Sequence, residues 1–272
     1  MLLVIVLGID AAWTANAPSG VAMVAGGQGE WRCVAIAPSY DAFIALADGR
    51  TVNWAASRFK GSIPDVSELL DAATVLSGGL RPDVVAVDMP LSRDPIVGRR
   101  RADNEVSTAF GSRWCSAHSP NAERPGPIGA TLTSGCAHLG YPLAAAHEFP
   151  GAFPRLIEVY PHPAILTLLC LERRFEYKVG KARRYWPDLA PAARRSNILG
   201  NFHKLLEGLQ AAITGIDLPL PGCREISSMS HLKRFEDSLD ALVCAWVGTC
   251  YADRTAYALG DDRAAIWFPE LS

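Results

Sequence analysis

Short, continuously apolar segments that carry an acidic residue at or near their end constrain the fold of this chain most. An uninterrupted apolar run of roughly four to eight residues is typical of a strand buried on both faces of a sheet. The three runs and their acids are residues 2–9 with Asp10, residues 84–87 with Asp88, and residues 156–159 with Glu158. Because such strands need helices on both faces, the pattern predicts a mixed α/β sheet.

The remaining segments complete an order of three strands, a helical region, a strand, an insertion, a strand and further helices. Two more strands are predicted at residues 20–25 and 31–37, and helices at residues 40–77, 163–175, 192–213 and 231–252. Residues 99–150 are rich in Gly, Pro, Ser and Arg. They are too long for a plain loop, so we expect a functional insertion with some helix between the fourth and fifth strands. The order predicts one α/β domain over residues 1–272, with a mixed five-stranded sheet flanked by helices.

Composition excludes several classes of protein. The 26 Lys and Arg residues against 28 Asp and Glu residues leave a net charge of −2, so the chain as a whole is not an electrostatic nucleic-acid binder. The 7 cysteines include no C-x-x-C pair, which argues against a disulfide framework and a thiolate zinc site. The apolar start is short and is interrupted by Asp10, unlike a signal peptide or a membrane span. We expect a reduced, cytoplasmic, soluble protein with no membrane contact.

The strand-end acids are candidates for a ligand site. Burying a charged carboxylate costs several kcal/mol unless it is paired or binds a cation. In open α/β sheets, ligands bind in the crevice beyond the carboxyl ends of the strands. Asp10, Asp88 and Glu158 are predicted at this edge, where a cation or a basic partner would stabilise them. The alternative is that each acid caps the turn that follows it.

The last predicted helix adds Asp237 and Asp240, which lie about 60° apart on one helical face. Acids in an early turn also favour the helix macrodipole, which explains Asp237 adequately and Asp240, beside the apolar stripe, less well. Carboxylates from strand ends and a helix can bind two divalent cations about 3.5–4 Å apart and so support phosphodiester cleavage. Ligation by oxygen alone favours Mg²⁺ or Mn²⁺ over zinc.

Several motifs resemble the domain of unknown function 429 family, which is usually described as a predicted nuclease with an RNase H-like fold. The motifs are Gly8-Ile9-Asp10-Ala11-Ala12-Trp13, Val87-Asp88-Met89-Pro90-Leu91, Glu158-Val159-Tyr160-Pro161 and Asp237-Ser238-Leu239-Asp240-Ala241. The resemblance implies a divalent-metal-dependent nuclease. Its implied metal-binding set is Asp10 on the first strand, Asp88 on the fourth, and Asp237 with Asp240 on the closing helix, with Glu158 as a further or supporting member. The closing helix is also similar to Holliday-junction resolvases of the RuvC type, which are often dimers, so a homodimer is compatible with the resemblance.

Two basic regions are candidates for contact with a nucleic-acid substrate. Residues 173–204 combine a local excess of Lys and Arg with interleaved aromatic residues, which suits phosphates and bases but is also typical of a solvated helix face. Arg100, Arg101 and Arg113 follow an acid-bearing strand and are predicted to contact substrate phosphate. The alternative for these arginines is that they neutralise the acids. His118 and His162 could act as general acids or bases, although a lone histidine is more often structural.

The residues leave three functions open. In a metal-dependent nuclease, Asp10 would bridge two metals, while Asp88 and Asp240 would each complete one site. The first alternative is an ATP-binding phosphotransferase of the actin and sugar-kinase type, although Ala11-Ala12-Trp13-Thr14 replaces the glycine-rich phosphate loop expected there. The second is a non-catalytic RNase H-like binding module, whose melting temperature would not respond to Mg²⁺ or Mn²⁺.

Overall fold

The computed structural model describes residues 3–226 and 228–270. In these ranges the strands are β1 (Val4–Asp10), β2 (Gly20–Gly27), β3 (Glu30–Ala37), β4 (Val84–Val87), β5 (Arg155–Val159), β6 (Ala256–Gly260) and β7 (Ala265–Pro269). They form one sheet in the order β3-β2-β1-β4-β5-β7-β6. The pairs β1–β2, β2–β3 and β6–β7 are antiparallel, whereas β1–β4, β4–β5 and β5–β7 are parallel. The predicted mixed α/β sheet is therefore confirmed.

Helices flank this sheet. They are α1 (Tyr40–Ala47), α2 (Val66–Leu76), α3 (Arg101–Phe110), α4 (Pro127–His138), α5 (Pro161–Leu168), α6 (Ala182–Tyr185), α7 (Pro191–Ala212) and α8 (Met229–Ala252), with 3-10 turns at Gly111–Arg113 and Val179–Lys181. None of the helices in the described ranges is both long and apolar enough to cross a membrane. The insertion at 99–150 contains α3 and α4, as its length suggested.

The described part of the chain has two strands more than the five predicted. Both additional strands, β6 and β7, follow the last predicted helix and are only five residues long. β7 joins the sheet through a parallel register of Glu158 with Ile266 and Val159 with Trp267, a contact between distant parts of the chain that no local pattern reveals. The helix predicted at 163–175 ends earlier, at Leu168. Just beyond it, the backbone of Cys170 has a left-handed conformation, with φ 51°. Leu2, the first residue of the predicted first strand, lies outside the described residues.

Alternation along the central strands divides the core between the two sheet faces. Val4 and Val6 of β1 belong to the core cluster that includes the apolar residues of α8. Ile5, Leu7 and Ile9 belong to the opposite cluster, with residues of α1, α2 and α4. Because side chains alternate along a strand, Asp10 continues the face of Val4 and Val6 and is directed toward α8.

Two glycines let α8 approach the sheet closely. A Cβ atom on Gly8 would overlap the main-chain carbonyl oxygen of Ala241, and one on Gly20 would overlap that of Asp237. Gly20 is paired with Asp10 across the β1–β2 ladder. This close contact holds the middle of α8 against the end of β1, which brings the acids of the helix to the strand-end acid.

Candidate functional site

Asp10 and Asp88 lie side by side at the carboxyl ends of two parallel strands. The ladder pairs Ile9 with Val87, and the Asp88 amide extends it by donating to the Ile9 carbonyl at 2.9 Å. Each acid follows its paired residue by one position, and neighbouring strands lie about 4.8 Å apart. Val84 and Ala86 belong to the α8-facing core, so Asp88 shares the direction of Asp10. The structure thus brings together two of the acids predicted from the sequence.

Helix α8 supplies the other acids of this centre. Asp237 and Asp240 are buried, with 2% and 0% of their surface exposed, and the neighbouring Glu236 is 3% exposed. The sequence analysis missed Glu236 as a site residue, although it precedes Asp237 directly. We refer to the acidic side chains that α8, β1 and β4 bring together as the acidic centre, namely Asp10, Asp88, Glu236, Asp237 and Asp240.

Two lysines lie among these carboxylates. Lys178 forms an ion pair with Asp240 and lies 3.6 Å from a carboxylate oxygen of Glu236. Lys233 donates to Glu236 at 2.8 Å and forms an ion pair with Asp237. Both lysines escaped the sequence analysis as site residues. Lys233 lies three and four positions before its partners, a helical spacing that could have identified it, whereas Lys178 reaches the site only through the tertiary fold.

Two further donors bind the acidic centre. The Tyr177 hydroxyl donates to Asp240 at 2.5 Å, and the Val179 amide donates to Glu236 at 2.5 Å. Burial alone would raise the pKa of Glu236, but Lys178 and Lys233 lower it below its usual value. One short segment, Tyr177-Lys178-Val179, therefore makes these contacts with the acids of α8.

Negative charge in the acidic centre exceeds the positive charge that the protein provides. Five carboxylates face two lysines, and in the described ranges neither Asp10 nor Asp88 forms a salt bridge. Burial, followed by the charges of Asp240 and Asp237, raises the pKa of Asp10 well above its usual value. Burial also raises the pKa of Asp88 to about 7 and that of Asp237 to about 6. The two lysines therefore compensate the ionised acids only in part, and an added cation would stabilise the ionised forms of Asp10 and Asp88.

Glu158 does not join the acidic centre. It is paired with Val87 in the β4–β5 ladder, and its neighbour Leu156 belongs to the core on the face opposite α8. The Arg100 guanidinium holds its two carboxylate oxygens at 2.5 and 2.7 Å, and the Leu91 amide donates to it at 2.7 Å. Burial raises the pKa of Glu158 to about 7, although Arg100 opposes that rise. Glu158 is therefore compensated by Arg100, which among the described residues pairs with Glu158 and Asp103 and with no acid of the acidic centre.

The three arginines predicted to contact phosphate are engaged with the protein. Arg100 binds Glu158 and also Asp103, at 2.7 Å. Arg101 is exposed and pairs with Glu105 at 2.7 Å. Arg113 donates to the main-chain carbonyls of Glu172, at 3.1 Å, and of Leu171.

The two candidate histidines differ in position. His118 lines a small cleft of about 50 Å³ together with Asp88 and Trp13. Burial, followed by the charges of Lys181, Arg174 and Lys178, lowers the pKa of His118, so its ring is neutral near pH 7 and can accept a proton. His162 lies beside the Arg174 guanidinium, and burial, followed by the charges of Lys178 and Arg174, lowers its pKa well below the usual value.

The carboxylates of the acidic centre suit a hard divalent cation, but in the structure Lys178 and Lys233 form ion pairs with two of them. Among the residues that the structure describes, no group of three or more His, Cys, Asp or Glu side chains is arranged as a ready metal site. The donors are nevertheless all carboxylate oxygens, the ligands that Mg²⁺ and Mn²⁺ prefer. A cation bound to Asp10, Asp88 and Asp240 would take the place of the Lys178 ammonium group.

Comparison with known proteins gives a family match over most of the chain. A model of the family described as "Protein of unknown function (DUF429)" matches residues 8–264. The matched range begins within β1, includes the acidic centre and β6, and ends just before β7. No curated protein and no solved structure matches the chain significantly.

Proposed function

The chain belongs to the DUF429 family of proteins of unknown function, and we propose that it is a divalent-metal-dependent nuclease. The observation that carries this proposal is the uncompensated charge of the acidic centre. Asp10 and Asp88 lie on adjacent parallel strands beside the buried Asp240, and in the described ranges no basic side chain pairs with either strand-end acid. Acids in this arrangement are stabilised by a divalent cation.

The position of these acids in the sheet supports an RNase H-like fold. The first five strands are adjacent in the order β3-β2-β1-β4-β5, and the acids lie on the first strand, after the fourth strand and on α8. These are the positions implied by the resemblance noted from the sequence. Fold alone does not establish activity, so the proposal depends on the carboxylates and not on topology.

Each acid has a distinct role in the proposed site. Asp10 would contribute to holding both cations, because it ends the strand next to the one that Asp88 follows and its pKa responds to the charges of Asp240 and Asp237. Asp88 and Asp240 would each complete one site, and Asp237 would orient water. When bound, a metal pair activates a water molecule and stabilises the leaving oxygen of a phosphodiester. His118 lines the same cleft as Asp88, and its lowered pKa keeps the ring neutral, so the ring could act as a general base there.

A nuclease assay with matched variants tests the proposal. Purified protein would be incubated with single-stranded, duplex and branched DNA and RNA in Mg²⁺, Mn²⁺ or EDTA. We expect metal-dependent cleavage that Asp10→Asn and Asp88→Asn each reduce by roughly 10²–10³-fold, the range for losing one electrostatic contact to the reacting charge. Asp71→Asn, an exposed acid on α2, is the matched control and should retain activity. Intact cleavage by Asp10→Asn would refute the assignment.

The lysines favour one alternative, a non-catalytic module. Lys178 and Lys233 already compensate part of the buried charge without any metal. Thermal denaturation separates the two functions, because a cation at one hundred times its Kd stabilises a protein by about 2.7 kcal/mol. We expect Mn²⁺ to raise the melting temperature of the wild type and not of Asp10→Asn. No response in the wild type would favour the non-catalytic module.

A further inference from the structure

A pocket of about 450 Å³ adjoins the segment that carries Tyr177 and Lys178. Its lining consists of Trp114, Arg174, Glu176, Lys181, Arg184 and Tyr185. The volume falls within the range typical of small-molecule sites. Three basic residues and one acid leave it with a net positive charge, and two aromatic side chains provide apolar faces.

Hydrogen bonds made by Arg113, the residue before Trp114, hold Trp114 at the pocket. Arg113 binds the main-chain carbonyl of Glu172 at 3.1 Å, and the Arg174 amide donates to the Arg113 carbonyl at 2.9 Å. These bonds join the turn that carries Trp114 to the segment that forms the rest of the pocket. The backbone of Trp114 has a left-handed conformation, with φ 63°, and 60% of the residue's surface is exposed.

The surroundings of Trp114 favour an anionic ligand with a flat ring. The Arg173 guanidinium lies 4.9 Å from the centre of the indole ring, so cationic and aromatic groups are already stacked there. On the wall of the pocket, the Nε atom of Arg174 is buried and has no hydrogen-bond partner among the described residues. Burial, together with the charges of Arg174, Lys178 and Arg184, lowers the pKa of Lys181, which reflects a concentrated positive potential. Phosphate groups are the anions that such clusters bind, and bases stack on exposed aromatic rings.

We infer that this pocket binds one unpaired nucleotide of a nucleic-acid strand, with the base stacked on Trp114 and the phosphate contacted by Lys181 and Arg184. The inference rests on the proposed function for its choice of nucleic acid as the ligand. Residues 174–181 connect the pocket directly to the acidic centre, because Arg174, Glu176 and Lys181 line the pocket while Tyr177 and Lys178 bind Asp240. A strand held in the pocket would therefore extend toward the carboxylates. Since a paired base has its faces covered by its neighbours, the pocket favours single-stranded over duplex substrate.

Binding in EDTA tests this inference without any cleavage. The probes are a fluorescein-labelled strand of twelve nucleotides and the same strand annealed to its complement, followed by anisotropy at several salt concentrations. We expect the wild type to bind the single strand more tightly than the duplex. Trp114→Ala should weaken single-strand binding by roughly 5- to 150-fold, the range for one lost base stack, and should leave the salt dependence unchanged.

Arg184→Ala should act differently from Trp114→Ala. Losing one phosphate contact to a single strand reduces the slope of log K against log salt by about 0.7. Arg183→Ala is the matched control, because Arg183 is an exposed arginine on the same short helix that does not line the pocket. Equal effects of Arg183→Ala and Arg184→Ala would show diffuse charge attraction and would overturn the inference. Unchanged binding by Trp114→Ala, or equal binding of duplex and single strand, would also overturn it.

The outcomes distinguish this inference from the proposed nuclease. Metal-dependent cleavage that depends on Asp10, together with unchanged binding by the pocket variants, would leave the nuclease standing and remove the pocket. The expected binding results without cleavage in Mg²⁺ or Mn²⁺ would do the reverse.

Discussion

Replacing Arg100 with alanine would separate a structural role of this arginine from the phosphate contact predicted from the sequence. The Arg100 side chain is 8% exposed and binds Glu158 through two hydrogen bonds. It also binds Asp103 at 2.7 Å and the Leu91 carbonyl at 2.5 Å. Removing one partner of a buried ion pair leaves the other charge uncompensated and typically costs about 3–5 kcal/mol. We expect Arg100→Ala to lower the free energy of unfolding by that amount.

The neighbouring residue provides the matched control. Arg101 is exposed, and its pair with Glu105 has helical i,i+4 spacing, which is worth about 0.3–0.5 kcal/mol. Urea denaturation of Arg100→Ala and Arg101→Ala would therefore show a difference of several kcal/mol. A difference of less than about 1 kcal/mol would refute the structural role of the Arg100–Glu158 pair.

The pH dependence of the loss provides a second check. Burial raises the pKa of Glu158 to about 7 even with Arg100 present, so without Arg100 the pKa of Glu158 rises further. An acid whose pKa is raised on folding destabilises the protein as pH rises above its unfolded pKa. The loss in Arg100→Ala should therefore be larger at pH 8 than at pH 6, where Glu158 is protonated. The double variant Arg100→Ala/Glu158→Gln should recover part of the stability at pH 8, since the uncompensated charge of Glu158 is removed while that of Asp103 remains. Purely additive losses would contradict this account.

Two further predictions concern the acidic centre and its packing. Gly20→Ala should lower the free energy of unfolding by about 1–3 kcal/mol in urea, because its methyl group would overlap the Asp237 carbonyl, whereas Gly98→Ala, in open space, is the control and should have a much smaller effect. In EDTA, the wild type should lose stability as pH rises from 6 to 8, because the pKa of Asp88 is raised to about 7 and the folded chain binds more protons than the unfolded one. Asp88→Asn should reduce that change by roughly 1 kcal/mol, and an identical pH profile in the variant would show that Asp88 is not the titrating group.

The sequence predicted the strands and helices that can be recognised from residues close together in the chain. The apolar runs before Asp10 and Asp88 identified β1 and β4 because a strand buried on both faces has no polar residues to interrupt it. The long helix α8 was identified by its apolar stripe, and Asp237 and Asp240 were recognised with it. By contrast, β7 pairs with β5 more than a hundred residues earlier in the chain, so its place in the sheet depends on tertiary contact.

The sequence predicted the strand-end acids of the site, Asp10 and Asp88, but not Lys178 and Lys233, which compensate part of the buried negative charge. Glu158 resembled Asp10 and Asp88 because each lies at or near the end of an apolar run. Asp10 is the last residue of β1 and Asp88 follows β4, whereas Glu158 precedes the last residue of β5. Side chains alternate along a strand, so this shift of one position directs Glu158 to the opposite face, where Arg100 binds it. Comparing the positions of the acids relative to the strand ends would have separated Glu158 from the other two.

Lys178 connects the two parts of the molecule for which function is proposed. In the sequence it belongs to a basic run that was a candidate either for nucleic-acid contact or for a solvated helix face, yet in the structure it pairs with the buried Asp240. The charge of Asp240, followed by those of Tyr177 and Glu236, raises the pKa of Lys178 well above its usual value despite its burial, so the ammonium group stays charged. A divalent cation at Asp240 would displace this ammonium group by charge repulsion. Since Lys178 lies in the same segment as Arg174 and Lys181 of the pocket, cation binding at the acidic centre would add a positive charge next to the proposed nucleotide site. Metal and nucleic acid should therefore bind with positive coupling: each should tighten the binding of the other.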